Sequence, residues 1–142
     1  MLSRLFSTIL IASFAAVPFY ASAETVQLFG PFKTEHNATT PVSGSVFATL
    51  DTDQNTLMYN IKAEGLSGPI TTAHLHGPAE ANIDGKVISP LPGPFRRHMD
   101  GTVHLTPDQQ KIVISGKSYI NLHTSRYTTG EARAQLTPIS TK

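Results

Sequence analysis

Cysteine is missing from this chain of 142 residues. No disulfide can staple the fold, and no lipid-modified cysteine can tether it. Stability must come from packing and from backbone hydrogen bonds. A membrane-spanning run is missing too: the apolar stretch from Thr8 to Phe19 is shorter than the ~20 residues a spanning helix needs. Charge of either sign is scarce. The formal net charge is +1 and no run of Lys or Arg occurs. Nucleic acid and anionic membrane surfaces are therefore poor partners. No Ser-His-Asp arrangement, glycine-rich phosphate loop or paired carboxylates stand out, so hydrolase and nucleotide chemistry have no residues to rest on.

What is present begins with an export signal. Arg4 supplies a positive start, Ile9 to Val17 the apolar stretch, and Ala21-Ser22-Ala23 the small-residue pattern a signal peptidase accepts. The expectation is a signal peptide over residues 1–23, helical over residues 5–20, and one mature domain over residues 24–142. That domain would be periplasmic or extracellular, with no membrane insertion after cleavage. Without Arg4 its basic and acidic residues balance at ten each.

Alternating apolar residues dominate the mature part. Val46, Ala48 and Leu50 alternate before the polar turn 51–55, and Leu57, Tyr59, Ile61 and Ala63 alternate after it. This is the pattern of a β-hairpin. Strands are also expected over 26–29, 70–76, 86–89, 101–105, 118–124 and 131–136. Gly30-Pro31 reads as a strand breaker, and the proline-rich stretch 90–100 as a surface loop. One short helix is expected over 106–115, with Thr106 as N-cap, Pro107 in the first turn and Gln109 completing a capping box. About eight short strands with one helix predict an all-β fold, an antiparallel Greek-key sandwich or barrel.

Histidine is the one unusual enrichment: six, all in the mature part. His74 and His76 alternate with Leu75, so they share a strand face, their Cα atoms roughly 6.6 Å apart at ~3.3 Å per residue. Tyr119, Asn121 and His123 share a face of a second strand. His74, His76 and His123 could converge on one ion with a position left open. Imidazole-only ligation suits copper or zinc, and copper has the higher intrinsic affinity. His98 is a candidate fourth ligand. Glu131, Arg133 and Asn121 are candidates for the groups behind the ligands: Glu131 as acceptor for a histidine N–H, Arg133 as a guide for anions. His104 reads as a surface strand residue and His36 as loop.

The ordered motifs His74-Leu-His-Gly-Pro-Ala79, Gly101-Thr102, Gly116-Lys-Ser-Tyr-Ile-Asn-Leu-His-Thr124 and Gly130-Glu-Ala-Arg-Ala-Gln-Leu136 resemble the chordin-type (CHRD) domain. The resemblance implies an exported β domain, and in chordin an extracellular binding protein. A more distant resemblance is to copper-zinc superoxide dismutases. There His74, His76 and His123 match the three copper-only ligands in chain order. The zinc-loop and bridging histidines have no counterpart unless His98 substitutes. Three functions are expected from this: a copper-binding domain, a protein-interaction module with structural histidines, or a dismutase-like redox enzyme.

Overall fold

The computed structural model describes residues 24–139. The expected signal segment and its helix lie outside the described residues. Eight strands form: β1 (Thr25–Thr34), β2 (Ser43–Asp51), β3 (Thr56–Glu64), β4 (Ile70–His76), β5 (Val87–Pro90), β6 (His98–His104), β7 (Ser118–Thr124) and β8 (Ala132–Pro138). The single helix, α1 (Pro107–Ile114), lies between β6 and β7. The strands pair antiparallel in the order β5-β4-β7-β8-β1-β2-β3-β6. The result is a nearly closed barrel whose two end strands, β5 and β6, do not pair with each other. The β3–β4 and β6–β7 connections each skip neighbouring strands, as Greek-key topology requires.

Alternation decides which residues fill the barrel. Val46, Ala48 and Leu50 of β2 and Leu57, Tyr59, Ile61 and Ala63 of β3 are all buried. Ala73 and Leu75 of β4 face Ile120 and Leu122 of β7 across the ladder, and all four are buried. The helix adds Val113 to the same core. Its cap is reciprocal: Thr106 Oγ1 accepts from Gln109 N–H, and Gln109 Oε1 accepts from Thr106 N–H.

Three local expectations are corrected. Gly30-Pro31 does not end β1, which runs on to Thr34. A side chain at Gly30 would collide with the Gln135 carbonyl, so glycine here admits a close neighbouring strand rather than a break. The stretch 90–100 is only partly surface loop. Leu91 is buried, Phe95 packs on the core, and β6 begins at His98 so that Met99 and Val103 both point inward. The last strand starts at Ala132 and extends past Leu136 to Pro138.

Candidate metal centre

Strand periodicity puts His74 and His76 on the face of β4 away from Leu75, and Tyr119, Asn121 and His123 on the same face of β7. Register then sets the neighbours. His74 lies opposite Asn121, His76 opposite Tyr119 and Thr72 opposite His123. The three histidines each offer a ring nitrogen within 4.8 Å of the other two, and all three are half-buried. His74 Nδ1 lies 3.2 Å from His123 Nε2.

Backbone carbonyls fix two of the rings. His76 Nδ1 donates to the Gly85 carbonyl (2.9 Å), and His123 Nδ1 donates to the Thr128 carbonyl (2.9 Å). Each neutral ring carries one N–H, so these bonds place the proton on Nδ1 and leave Nε2 with its lone pair. His74 is different. Burial, then the adjacent His123 and His76, pull its pKa below the ordinary imidazole value.

A stack supports His76 from behind. Its ring lies parallel to the Tyr119 ring at 4.8 Å, and the Arg133 guanidinium carbon sits 3.4 Å from the centre of that ring. Arg133 also donates to the Ile83 and Glu80 carbonyls, at 2.8 and 3.0 Å. It thereby holds the 77–86 loop, whose Gly85 N–H donates to the Tyr119 hydroxyl and whose Gly85 carbonyl holds His76. Arg133 is buried, and its Nη2 also donates to Gln135 Oε1 (2.8 Å). It positions a histidine at one remove, through Tyr119 and the 77–86 loop.

Asn121 joins His76 to Glu35. Its Oδ1 is 3.1 Å from His76 Nε2 and its Nδ2 is 3.3 Å from Glu35 Oε2. With the His76 proton on Nδ1, Nε2 pairs best with the amide turned end for end, so that Nδ2 donates to it. Oδ1 then needs a donor, which a protonated Glu35 can be. Burial raises the Glu35 pKa above the ordinary carboxylate value, against the lowering pull of the neighbouring His36.

Glu131 touches no histidine. It is fully buried and accepts from Thr40 Oγ1, Ser67 N–H, Ser67 Oγ and Thr124 Oγ1 at 2.6–2.8 Å. It is a structural hub, tying the start of β8 to the loops before β2 and β4. His98 is also apart from the three histidines. It opens β6, next to β3, and its Nε2 lies 3.0 Å from Glu64 Oε1. His104 is exposed on β6, and His36 lies 3.3 Å from Asp84.

The carbonyls of Gly85 and Thr128 left no mark in the side-chain pattern. Tyr119 did leave one: it shares the alternating face of Asn121 and His123, where an aromatic beside a ring ligand is a stacking signal.

A family model described as the CHRD domain matches residues 25–136. The chain belongs to the CHRD domain family. The match runs from the start of β1 to within two residues of the end of β8, so the CHRD unit and the barrel coincide. All three clustered histidines lie inside it. No curated protein and no solved structure matches the chain.

Proposed function

We propose that this CHRD domain binds one copper ion through His74 Nδ1, His76 Nε2 and His123 Nε2. The observation that carries the reading is the holding of the His76 and His123 rings by backbone carbonyls. Metal-ligating histidines nearly always donate their second ring N–H in this way, which fixes the tautomer and raises the basicity of the ligating nitrogen. The spacing agrees. Two ligands each ~2.0 Å from one ion at a tetrahedral angle stand roughly 3.3 Å apart, and His74 and His123 meet at 3.2 Å. Neutral imidazoles without thiolate or carboxylate favour copper over zinc by intrinsic affinity. When bound, copper would supply a one-electron redox centre. The chain's own part is to orient three rings, keep His74 unprotonated, and exchange the Asn121 contact at His76 Nε2 for a coordinate bond. The export signal read in residues 1–23 supports a periplasmic or extracellular setting.

Copper(II) titration of the purified chain, followed by electron paramagnetic resonance, tests this. One copper per chain with nitrogen hyperfine structure is expected. His123→Gln and His76→Gln should weaken binding by at least tenfold, in line with losing one of three ligands. Spectra unchanged in both variants would sink the proposal. Dismutase activity of the loaded protein above that of free copper would extend it to redox catalysis.

A second reading, a protein-interaction module, is favoured by Phe47 and Met58. These are about half exposed, at 54% and 49%, on diagonal positions of the β2–β3 ladder, Phe47 opposite Asn60 and Met58 opposite Thr49. A partner bound there would keep its affinity when the histidines are replaced and lose it in Phe47→Ser.

A further inference from the structure

Behind the three histidines lies a second cluster of ligand-type side chains. Glu35 and His36 follow β1, and Asp84 comes from the loop between β4 and β5. One ligand atom from each lies within 4.8 Å of the other two. His36 Nε2 is 3.3 Å from Asp84 Oδ2, the separation of two ligands on one tetrahedral ion with bonds of ~2.0–2.1 Å. Glu35 is the independent pointer to a ligand. It is only 6% exposed, and its Oε1 is buried with no hydrogen-bond partner among the described residues. Buried polar atoms are almost always paired, so an orphaned oxygen on a carboxylate that is grouped with an imidazole and a second carboxylate asks for a cation.

We propose that Glu35, His36 and Asp84 form a second metal site that takes zinc(II). Two carboxylates and a neutral imidazole carry a charge that suits a divalent ion. The imidazole disfavours calcium and magnesium, which prefer all-oxygen shells. The carboxylates disfavour copper(I), which prefers soft ligands, and copper(II) gains more from the three imidazoles of the other site than from the single imidazole here. Three protein ligands with water in the fourth position is a zinc arrangement. Glu35 forms the buried floor, while His36 and Asp84 are exposed and give the ion access from solvent. Asn121 contacts both Glu35 and His76, so the two sites share one amide. Filling the zinc site through Glu35 Oε1 would hold Glu35 as a carboxylate, so that its Oε2 could only accept from Asn121 in the chain of contacts that ends on His76.

The ligands of this site are separate from the three histidines, so the two proposals can fail separately. The test uses the chain with His74→Gln and His123→Gln, titrated with zinc sulfate by calorimetry, with bound metal counted by mass spectrometry. One zinc per chain is expected. Adding Asp84→Asn or Glu35→Gln should weaken binding at least tenfold, with circular dichroism confirming the fold. Asp84 is exposed, so its variant carries the test even where Glu35→Gln disturbs packing. No zinc on the double-histidine variant, or equal affinity with and without Asp84→Asn, overturns the zinc site. Copper binding by the otherwise wild-type Asp84→Asn chain reports on the three-histidine site alone.

Discussion

His74 shows how one residue couples burial to pH. Its pKa lies below the ordinary imidazole value because burial, His123 and His76 all penalise the charged ring. The folded state therefore binds its proton less readily than the unfolded chain. The neutral ring's contribution to stability is fully present above the unfolded value of ~6.5 and is lost as pH falls through the folded value. Without metal, the domain should lose stability below about pH 6.5, and His74→Gln should flatten that part of the profile. Urea denaturation between pH 5 and 8 checks this. Gly130 is a steric counterpart. Its φ is +127°, and a side chain there would collide with the Glu35 carboxylate. Gly130→Ala should cost roughly 2–4 kcal/mol, since strain and collision add. A stability loss under about 1 kcal/mol would show that the turn relaxes freely.

The elements set the limits of what the sequence discloses. Where alternation is strict, as in β2, β3, β4 and β7, strand limits and inward residues were legible almost residue by residue. The helix was legible from its first turn: Thr106, Pro107 and Gln109 form the cap they predict. Thr106→Ala should cost about 1 kcal/mol, and Thr106→Asp should restore most of it. Thermal denaturation of the two variants measures the difference. Gly30-Pro31 misled because glycine marks a close strand approach as well as a turn, and only the neighbouring β8 backbone tells the two apart. Leu91 and Phe95 were hidden among prolines, with no period to mark them as inward. The ligand-type trio on β4 and β7 was legible because strand periodicity and a shared face predict convergence. Glu35, His36 and Asp84 were not, because two loops 48 positions apart bring them together and no local pattern encodes that meeting. Glu131 was misread for a related reason: its partners, Thr40, Ser67 and Thr124, lie on three separate segments.

At the scale of the whole molecule, two buried carboxylates draw the pH profile in opposite directions. Burial pushes Glu131 up, but hydrogen bonds from Thr124, Ser67 and Thr40 outweigh it together and hold its pKa below 4.5. The stability it contributes is complete above that value and is lost as pH falls through the folded-state pKa. Glu35 is the reverse. Burial dominates and raises its pKa, so its favourable contribution is present below about 4.5 and lost as pH rises through the folded value. One carboxylate binds three segments of the barrel together at neutral pH, while its neighbour across the Glu35 N–H to Glu131 carbonyl bond (2.9 Å) opposes it. Glu131→Gln should therefore destabilise the metal-free domain by roughly 2–3 kcal/mol at pH 7, because an amide N–H would face hydroxyl donors that need an acceptor. The deficit should shrink as pH falls below about 4.5 and through the lowered folded-state pKa, where the wild-type carboxylate itself takes up a proton. Glu35→Gln should do the opposite, matching or exceeding wild-type stability at pH 7 and losing that advantage in acid. Urea midpoints for the two variants from pH 3 to pH 7 decide the matter. Parallel profiles, with no crossing of sign between the two substitutions, would mean that these carboxylates do not govern the acid response of the barrel.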